Sequence, residues 1–560
     1  VLSDVDDLIS EFDHLDEREA CQYLDELGRE LPEIPKSVYI DNNLVPGCQS
    51  RVWLVNRLTD DSPAKVEIQV DSDAFVVKGL AYVVLQIFGN QTPEEILATD
   101  YASLFDRMGL GRLILPQRKN GLYSMVDRIR NFAADSIGQS IEGEMAPGTS
   151  VVAPPIEISR TIDNIADEFP ILNRQLPSGK RAIFLDSGAS AQKPQCVIDK
   201  EREVEEQYYA NAFRGRYYFG QRIDDEIEAT RSKAAVLIGA TRTDEIVFTS
   251  GTTMSVNLVA VSWGRKFLQP GDEVVVSEMA HHANYVPWQV IAKEAGATFR
   301  ILPVTDEGII DPTSVESIIN EKTAIVAISS MSNVLGTMNP IEQIAARAKA
   351  CDAKLFVDAA QSIPHAPIDV ADLGIDFLCF SGHKLYGPSG VGVLFGRHEL
   401  LQAMDPFLYG GHMIETVGRA ASTWAQPPAK FEAGTMPIVQ IIGLGAAIDF
   451  VQSIGFAAIH AHEDRLMKAA YEKLSVIPGL KIIGPAPDSG HKGAILSFTI
   501  DGVSTEDLAH KLDHEGIFTR HGHHCAMLLH ERLGIPATTR ASFGLYNTMA
   551  DVEALVAAVQ

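Results

Sequence analysis

Residues 355–396 read LFVDAAQSIPHAPIDVADLGIDFLCFSGHKLYGPSGVGVLFG. Three short runs in this stretch, Leu355–Val357, Phe377–Phe380 and Val391–Phe395, are apolar and rich in β-branched and aromatic residues. Each is bounded by small or turn-forming residues, so each reads as a strand buried on both faces. The first runs into Asp358-Ala359-Ala360-Gln361 and the second into Ser381-Gly382-His383-Lys384. A carboxylate, an amide, a hydroxyl, an imidazole and an amine thus follow directly on two strand ends.

The pattern extends upstream. Glu245–Phe248, Glu273–Val276, Phe299–Pro303 and Ala324–Ile328 are further strand-like runs separated by helical stretches. Strands alternating with helices predict an α/β fold with a mostly parallel, helix-covered sheet. In open sheets of this kind ligands bind beyond the carboxyl ends of the strands. The first of these runs is followed by Thr249-Ser250-Gly251-Thr252-Thr253 and a helical stretch. A hydroxyl-rich turn at a helix N-terminus suits a phosphate, and by itself equally suits an ordinary helix cap. Glu278-Met279-Ala280-His281-His282 follows the second and Ser332-Asn333 the fourth. Each group alone is commonplace at a strand end, but their convergence predicts one ligand crevice. A lysine beside phosphate ligands, with an aspartate and a histidine on neighbouring strand ends, is the set that pyridoxal phosphate requires. No G-x-x-x-x-G-K-[ST] or G-x-G-x-x-G stretch competes for a nucleotide. From Gly479 through Thr499 onward the pattern predicts a smaller α+β subdomain.

The chain has 560 residues, too many for one ordinary domain. With 46% hydrophobic and 22% charged residues it has the composition of a folded protein. Its formal charge of -27, with no run of Lys and Arg, argues against binding nucleic acid or an anionic membrane. Residues 1–30 alone hold eleven Asp or Glu against two Arg, which reads as a solvated helix face or an acidic docking surface. The six cysteines, Cys21, Cys48, Cys196, Cys351, Cys379 and Cys525, are scattered and contain no C-x-x-C. That spacing predicts a reducing compartment and reactive rather than structural thiols. With no secretory signal pattern and no membrane-spanning apolar run, the expected location is cytoplasmic.

Residues 136–155, SIGQSIEGEMAPGTSVVAPP, carry no helical or strand period and read as a linker. The expected organisation is a small α+β unit over 1–134, a flexible linker over 135–157 and a larger module over 158–560. The larger module divides into a cofactor-binding domain over about 180–435 and a C-terminal subdomain over about 455–560. In the first unit a helical pattern ends near Gly28, Arg51–Asn56 and Lys65–Val70 read as strands, and Val77–Phe88 and Leu122–Phe132 read as helices.

Residues 160–560 resemble a group II cysteine desulfurase of the Suf type, a fold-type I pyridoxal phosphate enzyme. The stretches carrying the resemblance are FTSGTTMSVNLVA (248–260), SEMAHHANYVPWQ (277–289), SNVLGT (332–337), VDAAQSIPH (357–365), FSGHKLYGPSGVGVLFG (380–396), FEAGT (431–435) and RHGHHCAM (520–527). The resemblance implies that Lys384 is the Schiff-base lysine, that Asp358 pairs with the pyridine nitrogen, and that His281 stacks on the ring as an acid/base. It implies that Gln361 bonds the phenolic oxygen. Thr252, Thr253, Ser381 and His383 would hold the phosphate, with Gly434 and Thr435 reaching across from the second subunit of a homodimer. Asn333, Arg520 and Arg540 would receive the carboxylate of L-cysteine, and Cys525 would take its sulfur. Cationic neighbours lower a thiol pKa, and Arg520, His521, His523 and His524 closely precede Cys525. The rival reading of H-x-H-H-C as a zinc site lacks the separated ligands of a closed tetrahedron, so no metal is expected. The chain departs from the family pattern at Phe213, where a His is usual, at His521, where a Thr is usual, and at Met436-Pro437, where Pro-Asn is usual.

Residues 1–134 resemble a SufE-type sulfur acceptor through VPGCQSRVWL (45–54), DSDAFVVKGL (71–80) and RKNGLYSM (118–125). The resemblance implies that Cys48 accepts sulfur as a persulfide, with Arg118 and Asn120 near its loop. The combined expectation is a fusion that converts L-cysteine to L-alanine and relays sulfur from Cys525 to Cys48, then onward to an iron–sulfur scaffold protein. A flexible linker of about 20–25 residues has an r.m.s. span of roughly 25–30 Å. Such a tether would hold the two thiols at an effective concentration up to the millimolar range. Two alternatives stand beside this reading. One is a selenocysteine lyase or other pyridoxal phosphate lyase or aminotransferase-like enzyme, and the other makes the N-terminal unit a non-catalytic docking module.

Overall fold

The computed structural model describes residues 2–12, 15, 17–40, 43–45, 51–59, 63–110, 116–137, 160–162, 164–213, 215 and 217–560. The chain divides into two compact units, Val1–Ser150 and Val151–Gln560. The linker expected over 135–157 lies almost wholly outside the described residues, although the helix before it continues to Ser136.

In the first unit, strands β1 (Val52–Leu58) and β2 (Val66–Ser72) form an antiparallel pair with Val52 opposite Ser72. β2 alternates buried Val66, Ile68 and Val70 with more exposed neighbours, as a strand with one covered face must. Helices Glu17–Arg29, Phe75–Phe88 and Pro116–Ser136 pack into the same core through Leu24, Leu80, Val84, Val126 and Ile129. The first two helices cross at Gly79, where an added Cβ would lie 2.0 Å from the Leu24 carbonyl oxygen. Helix Pro93–Ala98, too short for a periodic signal, is set by local chemistry instead. Thr92 and Glu95 form a reciprocal capping box, and Pro93 occupies the first turn, where no N–H is needed.

The second unit opens with the short strand β3 (Ile183–Phe184). Its large sheet has seven strands: β4 (Ile246–Thr249), β5 (Glu273–Ser277), β6 (Thr298–Leu302), β7 (Thr323–Ser329), β8 (Lys354–Asp358), β9 (Phe377–Ser381) and β10 (Gly392–Gly396). Their spatial order is β4-β10-β9-β8-β7-β5-β6. Strands β9-β8-β7-β5-β6 are parallel neighbours, while β10 runs antiparallel between β4 and β9. Alternate residues feed two separate cores. Ile246, Phe248, Val275, Val326, Val357, Leu378 and Phe380 lie on one face, and Val247, Val274, Val276, Ile325, Phe356, Phe377 and Cys379 on the other. This two-sided burial is why these runs are almost continuously apolar in sequence.

A hairpin of β11 (Ile414–Val417) and β12 (Ser422–Trp424), with no counterpart in the sequence reading, follows the sheet. The C-terminal subdomain then holds β13 (Leu480–Ile483), β14 (Ile495–Ile500), β15 (Ile517–Phe518), β16 (Arg520–Gly522) and β17 (Thr538–Ser542). Four of these form an antiparallel sheet in the order β13-β14-β17-β16. β15 pairs in parallel with β3, and Asp186 bridges to Ser542. Residues 183–186 therefore side with the C-terminal subdomain, whereas the sequence placed them in the large domain. Helix Ile438–Ile454 is apolar all round because it is a core helix. No single helix among the described residues is long and apolar enough to cross a membrane.

A buried ion pair fixes the segment leading to Thr435. Arg231 Nη1 and Nη2 donate to Glu432 at 2.7 and 3.0 Å, and Glu432 also accepts the Phe248 N–H at 2.8 Å. Both side chains are at most 2% exposed. Arg231→Ala would strand the Glu432 carboxylate, and the expected loss is about 3–5 kcal/mol of stability. A shift of that size in the urea unfolding midpoint, with the slope unchanged, checks it.

Candidate active site

Five parallel strands of the large sheet end in polar groups. β4 ends at Thr249, followed by Gly251 with φ 140°, a conformation that glycine tolerates and other residues resist. This turn opens helix Thr252–Val259. Ser381, the last residue of β9, places its Oγ 2.9 Å from both the Thr252 N–H and the Thr252 Oγ1. The two strand ends thus share one hydroxyl cluster, with Thr253 exposed beside it.

β8 ends at Asp358, which is buried and accepts the Ala360 N–H at 3.0 Å. Burial pushes its carboxyl pKa up, against the Ala360 bond and the Lys384 charge. The same turn carries Gln361, whose Nε2 donates to the Gly188 carbonyl at 2.7 Å. His281, beyond β5, accepts the Ala283 N–H on Nδ1 at 3.0 Å, which leaves its ring proton on Nε2. Burial and then Lys384 hold its pKa at about 4, so the ring is neutral. His383 is likewise held at about 4 by burial, Lys384 and Lys193. Lys384 makes no hydrogen bond among the described residues, and burial lowers its amine to about 8 despite the nearby Asp358.

Cys525 sits on a strained turn. His524 and Cys525 are consecutive left-handed residues, with φ 51° and 56°. Neither is glycine, so this conformation costs energy and must be held from outside. Asn333 Nδ2 donates to the His524 carbonyl at 2.6 Å, and the His282 N–H donates to the Cys525 carbonyl at 2.8 Å. The ends of β7 and β5 thus pin the two peptides and present an exposed thiol. Cys525 interacts electrostatically with Arg520, Arg540 and Lys384. His524 does not supply the positive charge that the sequence reading gave it. Burial, with Arg540 next, holds its pKa at about 2, and its Nε2 is 2.9 Å from Thr538 Oγ1.

Arg540 is buried and donates to the Asn333 carbonyl at 2.8 Å and to Asp186 at 3.2 Å. Asp186 also accepts Arg520 Nε on both carboxylate oxygens, at 3.1 and 3.0 Å, and Arg520 Nη2 at 2.7 Å. Sequence reasoning missed Asp186, since it lies in no strand end of the large sheet. A side chain at Gly188 would meet Arg540 Cζ at 3.4 Å and Ser542 Oγ at 3.2 Å, so glycine leaves the guanidinium clear.

The structure therefore gathers Thr252, Ser381, His383, Lys384, Asp358, Gln361, His281, Asn333, Arg540, Arg520 and Cys525 around the strand ends and the subdomain strands facing them. Gly434 and Thr435 are exposed and make no side-chain bond to this cluster among the described residues. Cys48 and the side chains of Arg118 and Asn120 lie outside the described residues.

A family model described as aminotransferase class-V matches residues 183–555, and one described as SufE, an Fe-S metabolism associated domain, matches residues 6–133. A cysteine desulfurase of Dickeya dadantii is 46% identical over 397 residues, which cover 71% of this chain and 95% of that protein. The chain belongs to the cysteine desulfurase family and carries a SufE domain. A probable cysteine desulfurase of Streptomyces coelicolor is also 46% identical, covering 70% of this chain and 94% of its own length. Among solved structures, cysteine desulfurase CsdA of Escherichia coli, in an S-sulfonic acid form, superposes with TM-score 0.66 at 37% identity. That match covers 71% of this chain and 98% of the other. The apo cysteine desulfurase of Thermococcus onnurineus gives TM-score 0.68 at 35% identity, covering 72% and 98%.

The donor set fits the pyridoxal phosphate of the cysteine desulfurase family. Asp358 is a buried acid with a raised pKa, for which a protonated pyridine nitrogen is the natural partner. Lys384 offers an amine with no competing hydrogen bond, and the Thr252–Ser381 cluster offers hydroxyls at a helix start. The departures from the family pattern take defined places. Phe213 stacks on His412 with ring centres 4.2 Å apart, Met436 is buried in the large core, and His521 is exposed on β16. Among the described residues no group of three or more His, Cys, Asp or Glu is arranged to hold a metal ion.

Proposed function

We propose that this chain takes sulfur from L-cysteine as a persulfide on Cys525, releases L-alanine, and relays the sulfur to Cys48 for iron–sulfur cluster assembly. The observation that carries this reading is the exposed Cys525 thiol, pinned on its strained turn within electrostatic reach of Lys384 and Arg540. An aminotransferase or simple lyase has no use for such a thiol.

Thr252, Thr253, Ser381 and His383 would hold the cofactor phosphate, Asp358 its ring nitrogen, Gln361 its phenolic oxygen, His281 the ring face and Lys384 the aldehyde. Pyridoxal phosphate, when bound, supplies an electron sink for the negative charge that develops at the substrate α-carbon. Arg540 and Asn333 orient the substrate carboxylate. Lys384, with an amine pKa near 8, is neutral often enough at physiological pH to take the α-proton. The Cys525 thiolate attacks the substrate sulfur, the carbon–sulfur bond breaks, and its electron pair stays on carbon, which is then protonated to give alanine. Cys48 repeats the attack on the outer sulfur of the Cys525 persulfide, restoring the Cys525 thiolate. The exposure of Gly434 and Thr435 supports a homodimer in which these residues complete the partner's phosphate site. Scattered free cysteines stay reduced in a reducing compartment, which supports a cytoplasmic location, and an iron–sulfur scaffold protein is the proposed final acceptor.

Mass spectrometry after incubation with L-cysteine is expected to find one extra sulfur on both Cys525 and Cys48. An unmodified Cys48 would reduce the N-terminal unit to a docking module. An unmodified Cys525 would remove the desulfurase reading.

A further inference from the structure

Cys525 leads through Ala526 into the short helix Met527–Arg532, and Ala526, at the cap position, makes no side-chain hydrogen bond to it. The opening N–H groups of a helix have no partner within it and must find one elsewhere. For Met527 the partner comes from the loop beyond β5, 245 residues away in the chain. The Met527 N–H donates to His282 Nε2 at 3.2 Å, and the His282 N–H donates to the Cys525 carbonyl at 2.8 Å. One residue thus grips the chain on both sides of Ala526, by its backbone before it and by its imidazole after it. Between these two contacts the Ala526 N–H closes onto the His523 carbonyl at 2.9 Å. A ring nitrogen accepts a hydrogen bond only when it carries no proton, so the Met527 contact requires a neutral imidazole with its proton on Nδ1. Burial, and then the charge of His523, whose ring centre lies 5.9 Å away, push the His282 pKa down. The adjacent His281 has a different task, with its Nδ1 engaged by the Ala283 N–H.

We propose that the His282 imidazole is a positioning residue for the Cys525 thiol, acting through the Met527 peptide. The assignment rests on the sulfur transfer to Cys525 proposed above. His524 and Cys525 are consecutive left-handed residues, and such a turn persists only where its surroundings hold it. Asn333 holds the entry through the His524 carbonyl, and His282 holds the exit. A thiol displaced by about 1 Å loses its alignment with the substrate sulfur, and a displacement of that size can cost about 10²-fold in rate. The backbone bond from residue 282 to the Cys525 carbonyl survives side-chain substitution, so variants at His282 isolate the imidazole.

The test uses the cofactor-loaded full chain in single turnover with L-cysteine. Persulfide on Cys525 is followed by mass spectrometry, and exchange of the substrate α-proton with deuterated water is measured in parallel. A glutamine amide oxygen falls near the place of Nε2, whereas an asparagine oxygen falls near that of Nδ1 and is too short to reach Met527. His282→Ala and His282→Asn are expected to slow persulfide formation at least about tenfold, with α-proton exchange within about threefold of the parent. His282→Gln restores the acceptor, and persulfide formation is expected to return to within about threefold of the parent. Deuterium uptake at the Met527 amide should rise in the alanine and asparagine variants and fall back in the glutamine variant. Persulfide formation at the parental rate in His282→Ala overturns the proposal. So does a His282→Gln variant as slow as His282→Ala, which would make the ring a proton-transfer group. An equal fall in persulfide formation and proton exchange also overturns it, because the defect would then lie at the cofactor. If His282→Ala does not fold, asparagine against glutamine decides. A parent chain that forms the Cys525 persulfide but fails this pattern sinks only the His282 assignment. A parent chain that forms no persulfide on Cys525 sinks the proposed function.

Discussion

Lys384→Ala is expected to lower L-cysteine turnover by at least about 10²–10⁴-fold, the range for losing a positioned proton-transfer group. The loss would be larger still if cofactor retention also fails, because no other lysine follows a strand end of the large sheet. The variant should also lack the yellow colour of the parent. The side chain makes no hydrogen bond among the described residues, so its removal should leave the unfolding midpoint nearly unchanged. The pH dependence follows from the same burial. An amine must be neutral to attack an aldehyde, and burial brings the Lys384 pKa down to about 8 from 10.5. Cofactor uptake by the stripped chain should therefore accelerate as pH rises and level off above about 8. A rate still climbing steeply at pH 9.5 would mean that the amine is not buried as described.

Cys525→Ala should separate proton chemistry from sulfur chemistry. The thiol is exposed and the residue touches its neighbours through its backbone carbonyl, which His282 holds at 2.8 Å. Alanine keeps that bond, so folding and cofactor binding should survive. Sulfur release should fall at least about 10³-fold, as for loss of an enzyme nucleophile. Exchange of the cysteine α-proton with deuterated water should persist, since Lys384 and Arg540 are untouched. Loss of exchange together with sulfur release would mean that the turn at His524 and Cys525 had collapsed and that the thiol was not the sole casualty. Full sulfur release in the variant would remove Cys525 from the mechanism.

Much of the site was legible because its groups sit at the ends of strands. Strands of the large sheet are apolar for most of their length, so the polar residue that ends each one stands out, and Thr252, His281, Asn333, Asp358, Ser381 and Lys384 all announce themselves this way. Alternation along Lys65–Val70 gave β2 on the same physical ground, a face against the core and a face away from it. The short helix Pro93–Ala98 escaped because six residues cannot display a helical period, even though its capping box was written in Thr92 and Glu95.

The remainder depends on contacts between residues far apart in the chain. Charges near Cys525 in sequence were read as charges near it in space, yet His524 is neutral because it is buried against Thr538, a condition that no local pattern encodes. The large domain was expected over about 180–435, which includes β3, but the hydrogen bonds of β3 go to β15, more than 300 residues later. That pairing brings Asp186 to Arg520 and Arg540. Sequence alone thus determined the α/β sheet and the family, since burial and strand-end chemistry are local in the chain. Only the tertiary structure decided that Arg540 is buried beside Asp186, how the reactive thiol is held in a left-handed turn, and which histidines stay neutral. Those properties are set by desolvation and by partners that the chain meets only when folded.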